Sequence, residues 1–365
     1  MAITKRGNTW QYTLNLGIID GKRERITKGG FKTKKECEMA LTEEQIKYNK
    51  TNRIKKVSNI TVKQYLNIYY DEYVLNNCKY KTCVTYKEYI EKHINPVLGN
   101  YKLKDLIPRV LYDFIIGLSK EYSKNHCDSI RTFLNNALRF AIFPKELIFS
   151  NPFDNIKFKN INYCEGREKI ILTKNDMEKI FDYLEIYPHY YLPVQIMYRT
   201  GMRAGEVCGL TWNNVDLNNK LIKVRKQIQR RTGEGYVLVD LKTKSSIRDI
   251  SIDDFLVDLL KQKKKEYNKS GATHNYVCTC KDINRMIGKD RITSRMASLI
   301  KKNVCPFNCH AVRHLHATML IENGADIKDV SVRLGHKNTN ITYNIYVELS
   351  QRQKDKTKHL INSIF

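Results

Sequence analysis

The sequence predicts a mainly helical chain with small β-sheets (α+β): a small N-terminal sheet-plus-helix domain, a helical bundle, and a mixed, mainly helical third domain with a three-stranded sheet. Three patterns point there. Apolar residues alternate over Trp10, Tyr12, Leu14 and Leu16, as in a half-buried strand. They recur at helical spacing between Val62 and Ala141. Beyond residue 171 the helical stripes are interrupted by three short strand-like runs. The expected boundaries are 1–55, 58–155 and 171–365, with a polar, basic linker over 156–170. A length of 365 residues agrees with two or three domains.

In the first domain, Asp20-Gly21 is a hairpin signal, and a basic strand resumes over Arg23 to Lys28. Thr33, with Glu36 three residues on, forms a capping box that opens a helix through Met39, Ala40 and Ile46. A small basic sheet backed by a helix can enter a DNA major groove. Thr61 caps the next helix, whose core face is Val62, Tyr65, Leu66, Tyr69 and Tyr73. A second helix is expected from about Thr82 to Asn95, stopped by Pro96 and Gly99. Leu111, Phe114, Ile115 and Leu118 mark a third, and Ile130, Phe133, Leu134, Ala137, Leu138 and Ala141 a fourth. In the last domain Thr173 caps a helix buried through Met177, Ile180, Phe181 and Leu184. Three strands follow at Leu221 to Gln227, Tyr236 to Leu241 and Arg248 to Ile252.

Charge narrows the function. Sixty-four basic residues against 38 acidic ones give a net charge of +26, and the abundant intracellular polyanions are nucleic acids. No apolar run is long enough to span a bilayer, and the N-terminus lacks the pattern of a signal peptide, so a cytoplasmic protein is expected. Ten cysteines are then reduced thiols. Cys305, Cys309, His310 and His314 lie close in sequence, but without the paired spacing of a structural zinc site, and no metal or cofactor is expected.

Five segments carry side chains suited to phosphodiester chemistry. Arg203 follows Gly201 at a helix start, where backbone N–H groups also favour an anion, and Glu206 is one turn on to hold the guanidinium. Lys244 sits at the tip of a Thr243-Lys244-Ser245-Ser246 turn. His310 and Arg313, at i and i+3, share a helix face. His336 follows Leu334-Gly335, and Tyr346 comes ten residues later on a helix whose Ile341, Ile345 and Leu349 face the core.

The order Arg203, Lys244, His310-x-x-Arg313, Leu334-Gly335-His336, Tyr346 resembles the tyrosine recombinase (phage integrase) family. The first domain resembles that family's arm-type DNA-binding domain, and the bundle its core-binding domain. The resemblance implies a site-specific recombinase that integrates and excises a mobile element through a 3′-phosphotyrosine and a Holliday junction. Arg203 and Arg313 would bind the non-bridging phosphate oxygens. His310 and His336 would donate hydrogen bonds or help to deprotonate the phenol. Lys244 would protonate the leaving 5′-oxygen, and Tyr346 would attack. Linkage energy stays in the covalent bond, so neither ATP nor a metal is implied. The implied partners are core and arm attachment sites on double-stranded DNA, a homotetramer assembled there, and an excisionase or DNA-bending protein. A short apolar tail, Leu360 to Phe365, would pack on a neighbouring subunit. Tyr343 competes as nucleophile, and the family's spacing after Leu-Gly-His favours Tyr346. Two other readings remain: type IB topoisomerase-like relaxation, and a regulator that binds DNA without cutting.

Overall fold

A computed structural model describes residues 2–19, 22–57, 59–154, 156–166, 168–241, 243–280, 285–301 and 305–347. The Asp20-Gly21 turn, Leu349 and the tail after residue 347 lie outside the described residues. The chain divides into two compact units, 1–167 and 168–365.

The first unit opens with an antiparallel sheet of β1 (Ala2–Arg6), β2 (Thr9–Ile19) and β3 (Lys22–Phe31), in that order. Alternation sends Tyr12 and Leu14 inward, onto Cys37 and Leu41 of helix α1 (Lys34–Val57). Thr33 Oγ1 accepts the Glu36 N–H, and the Glu36 carboxylate takes the Lys32 N–H. The buried stripe differs from expectation. Met39 and Ile46 are exposed, because the 3.6-residue period carried inward from Cys37 falls on Ala40 and Leu41.

The bundle comprises α2 (Val62–Tyr69), α3 (Leu75–Asn77), α4 (Tyr80–Glu88), α5 (Asn95–Leu98), α6 (Pro108–Ser119) and α7 (Lys124–Ile142). The Thr61 hydroxyl and the Gln64 amide form a reciprocal cap, and the apolar face of each long helix is buried as its spacing requires. Tyr73 is the exception: it is partly exposed and stacks on Tyr69. Pro96 does not stop its helix. Wider π-type turns over Tyr89–Ile94 join α4 to α5, so the chain stays helical as far as Leu98. Such a turn shifts the hydrogen-bond pattern and gives the proline ring room. Nor is the segment after residue 155 a bare linker. Ile156, Phe158, Ile161 and Tyr163 pack on the bundle, and the Arg131 guanidinium lies 5.1 Å from the Phe158 ring centre.

The second unit holds α8 (Lys174–Leu184), α9 (Pro188–Thr200), α10 (Ala204–Cys208), α11 (Asp254–Lys269), α12 (Lys289–Lys301), α13 (Cys309–Glu322) and α14 (Ile327–Leu334). Its strands form two sheets. β4 (Val215–Asp216), β5 (Leu221–Val224) and β8 (Arg248–Ser251) make a three-stranded one, while β6 (Lys226–Arg231) and β7 (Gly235–Asp240) form a hairpin. The three strands expected in one sheet are therefore redistributed, and the first divides at Arg225. There the guanidinium donates to the Val224 and Arg248 carbonyls and to Asp249, occupying the end of the β5–β8 ladder.

Leu134 is buried in the bundle whereas Phe143 is 78% exposed. Leu134→Ala should cost roughly 2–5 kcal/mol and Phe143→Ala less than about 0.5 kcal/mol. Native-state hydrogen exchange of the α7 amides checks this, and equal effects would refute the burial assignment.

Candidate active site

Four backbone segments bring Arg203, the Lys244 turn, His310, Arg313 and His336 together. At the first, Gly201 closes α9 with a left-handed φ of +66°, and a Cβ there would lie 2.6 Å from both His316 and Leu334. Only glycine meets both demands. Arg203 then caps α10. Its N–H donates to Glu206 Oε2 (2.9 Å), its Nη1 to Glu206 Oε1 (2.8 Å) and its Nη2 to the Gly335 carbonyl (3.3 Å). Glu206 is buried, while the Arg203 side chain keeps 37% exposure.

The second turn is a 3-10 turn over Lys244–Ser246 with Lys244 exposed. Its Ser245 carbonyl approaches Gly335 so closely that a Cβ there would sit 3.0 Å away. Gly335 has φ +69° and caps α14, so it is the second glycine the site requires. The Lys244 turn thus abuts the loop that carries His336.

The third contributor is the start of α13. Asn308 Oδ1 accepts the His310 N–H (2.8 Å), which fixes where that helix begins. His310 is exposed and packs edge-on against His314. Arg313, one turn on, is 2% exposed. It donates to the Gly201 carbonyl (2.8 Å) and the Leu334 carbonyl (2.7 Å), tying the loops before Arg203 and before His336.

The fourth is the segment after α14. His336 Nδ1 lies 2.8 Å from Thr342 Oγ1. Residues 340–347 are helical; Thr342 and Ile345 are buried, and Ile341 is exposed. The expected core face therefore rotates by one residue, because the hydroxyl of Thr342 is the partner His336 needs. Tyr346 is 42% exposed and Tyr343 52%, with ring centres 6.1 Å apart, so neither is a core tyrosine. Cys305 is buried, Cys309 Sγ lies 3.9 Å from Thr293 Oγ1, and no metal-binding group of three or more side chains occurs among the described residues.

Residues that the sequence did not single out complete the arrangement. Arg248 is buried and spans Glu206, the Ser246 carbonyl and the Arg333 carbonyl. Its alternation with Ile250 was the available signal, since it puts a guanidinium on the inner strand face. Arg333 donates from Nε to His316 Nε2 (3.1 Å), and His316 Nδ1 lies 2.8 Å from the Tyr198 carbonyl. Nδ1 must therefore carry the proton, leaving Nε2 to accept.

Three guanidinium groups, of Arg203, Arg248 and Arg313, surround the single Glu206 carboxylate. Burial alone would raise the Glu206 pKa, but bonds and charge from Arg248 and then Arg203 hold it below the usual range. Partial desolvation of the His310 ring, exposed though the residue is at its outer edge, and burial of His336, followed in each case by the charges of Arg313 and Arg203, lower His310 and bring His336 down to about 3. Both are neutral at pH 7, in a pocket of surplus positive charge suited to an anion.

Known proteins resemble this chain in each of its parts. Residues 171–353 match the phage integrase family, 61–119 the phage integrase N-terminal SAM-like domain, and 2–48 an arm DNA-binding domain. The chain belongs to the phage integrase family. It is 26% identical to the ICEBs1 integrase of Bacillus subtilis, over 99% of both chains. It is 30% identical to a XerC-like tyrosine recombinase of Caldanaerobacter subterraneus, of whose length it spans about half (48%). Its fold resembles that of the Tn1549 transposon integrase in complex with a circular intermediate DNA (TM-score 0.70, 22% identity, 82% of this chain and 99% of that one). It also resembles a lambda integrase dimer bound to a COC′ core site (TM-score 0.60, 17% identity, 94% and 93%). As in that family, arm-binding, core-binding and catalytic domains follow one another.

His316 sets a pH effect. Burial, then the Arg333 charge, lowers its pKa from 6.5 to about 4. The unfolded chain binds a proton that the folded one refuses, so this contribution is full above pH 6.5 and is lost as pH falls towards 4. Over that interval the wild type should lose about 3 kcal/mol more stability than His316→Gln. Urea unfolding at each pH measures the difference, and parallel curves would refute it.

Proposed function

We propose that this integrase-family chain is a site-specific DNA recombinase whose nucleophile is Tyr346. The observation that carries the reading is the joining of the Arg203, Lys244, Arg313 and His336 segments at Leu334-Gly335, with an exposed tyrosine on the next helix. Tyr346 Oη attacks the scissile phosphorus, its proton passing to a neutral imidazole of His310 or His336. A phosphorus–tyrosine bond forms as the bond to the 5′-oxygen breaks, and Lys244 supplies the proton that leaves a 5′-hydroxyl. Arg203 and Arg313 offset the charge that grows on the non-bridging oxygens. A 5′-hydroxyl from a partner duplex then attacks the 3′-phosphotyrosine, exchanges strands and regenerates the phenol.

Double-stranded attachment sites are the proposed substrate, and four protomers would pair two of them through a Holliday junction. A lambda integrase tetramer bound to a Holliday junction shares this fold (TM-score 0.59, 18% identity), which supports that stoichiometry. The arm-binding domain favours integration and excision of a mobile element, in the cytoplasm of a prokaryote and helped by an excisionase or a DNA-bending protein. No helix among the described residues is long and apolar enough to cross a membrane.

A suicide duplex carrying the attachment site should yield a covalent adduct on a denaturing gel, insensitive to EDTA. Tyr346→Phe should abolish it and Tyr343→Phe should not. Arg203→Ala, which leaves Glu206 its Arg248 partner, should slow adduct formation by roughly 10²–10³-fold. An adduct that survives Tyr346→Phe would overturn the assignment. Relaxation of plasmids without exchange between sites would favour a topoisomerase instead. Affinity for the duplex should also fall steeply with salt, and a flat dependence would count against extensive phosphate contact.

A further inference from the structure

We propose that Arg248 is a positioning residue for proton transfer to the leaving group, acting through the Lys244 turn. The inference rests on Lys244 as the proton donor. Arg248 lies on the inner face of β8, four residues after Lys244, and Glu206, the Ser246 carbonyl and the Arg333 carbonyl take four of its five N–H groups, so its guanidinium has little left to offer a substrate. Its contacts divide three ways. Nη1 and Nη2 grip the two oxygens of Glu206 (3.3 and 2.9 Å), Nη1 also donates to the Ser246 carbonyl (3.0 Å), and Nε donates to the Arg333 carbonyl (2.7 Å). One planar group therefore fixes the end of the Lys244 turn against both the Arg203 cap and the strand of backbone leading to His336.

Among the described residues the turn's other bonds are local: the Ser246 N–H donates to the Thr243 carbonyl and the Ile247 N–H to the Lys244 carbonyl, both at 3.0 Å. Thr243 Oγ1 lies 3.0 Å from Ser245 Oγ and 2.9 Å from Ser246 Oγ, both bonds internal to the turn. Its outer face meets Gly335, where Ser245 O and the Arg248 side chain crowd the absent Cβ. An exposed lysine on a short turn samples many positions, and general-acid transfer needs the ammonium within hydrogen-bonding reach of one oxygen. Lysine at 248 could keep the charge beside Glu206 but not the fork that satisfies three acceptor groups in one plane.

The test compares two suicide duplexes, one ordinary and one whose scissile 5′-bridging oxygen is replaced by sulfur. A thiolate leaves without a proton, so the second substrate bypasses the general acid. Arg248→Lys is expected to melt near the wild type, bind the duplex equally in a gel shift, and cleave the ordinary duplex roughly 10–100-fold more slowly. Sulfur should restore most of that loss, as it should for Lys244→Ala. Trypsin should also cut after Lys244 faster in the variant. If Arg248→Lys does not fold, Arg248→Gln takes its place, since its amide can still donate to the Ser246 carbonyl but cannot span Glu206 and the Arg333 carbonyl as well, and the same sulfur rescue is expected.

A rate within twofold of wild type on the ordinary duplex, an equal loss on both duplexes, or lost duplex binding would overturn the positioning role. These results would leave the assignment of Tyr346 standing. Absence of a wild-type adduct, or a Lys244→Ala variant without a defect, would instead overturn the reading beneath it and this inference with it.

Discussion

Glu206 accepts hydrogen bonds from Arg203 on one side and Arg248 on the other, at 1% exposure. A carboxylate so far from water is tolerated only when paired and hydrogen-bonded, and here two guanidinium groups and a backbone N–H supply the partners. The bond is reciprocal in effect. It compensates the carboxylate's desolvation, and it fixes two arginines that would otherwise repel each other and Arg313. Removing the acid would leave three like charges in one pocket. Removing Arg248 would leave the acid half-satisfied. Much of the candidate site's geometry is therefore held by an ion cluster, not by apolar packing.

That cluster is tied to the rest of the unit through backbone carbonyls. Gly201, Ser246, Arg333, Leu334 and Gly335 each present a carbonyl to one of the guanidinium groups. Carbonyls at turns and helix ends lack an intrahelical donor, so an arginine satisfies them at little extra cost. The two left-handed glycines fit the same scheme. Gly201 leaves space for His316 and Leu334, and Gly335 for the Lys244 turn, so the four segments approach more closely than side chains would permit.

Much of this was legible in the sequence, for a physical reason. Periodicity reports burial, and the stripes over Leu111 to Leu118 and Ile130 to Ala141 are buried as their spacing requires. Candidate residues could be named from their order along the chain. What could not be read was partner choice. Ile222, Val224 and Ile228 share one alternation interrupted only at Lys226, yet the chain leaves one sheet for another at Arg225, where a side chain rather than a turn residue ends the ladder. A hydroxyl displaced Ile341 from the core for the same kind of reason: Thr342 answers a histidine six residues away. Arg248 and Arg333 look like ordinary surface arginines until their acceptors, distant in sequence, are known.

Arginine's five donors explain how one residue type can both build this site and act in it. Arg313 spends one N–H on Gly201 and another on Leu334, and Arg203 one each on Glu206 and Gly335, so three further N–H groups remain on each. The bonds already made fix the plane of each guanidinium before substrate arrives. In the proposed reaction a phosphodiester would meet donors that need not reorganise, which is where preorganised electrostatics gains over water. Burial, and then the same positive surplus, keeps His336 neutral beforehand, with Thr342 beside its Nδ1 edge. In the proposed reaction, binding of the anion would offset that surplus and raise the basicity of the imidazoles, so the capacity to accept the phenol's proton would grow once the phosphate is in place.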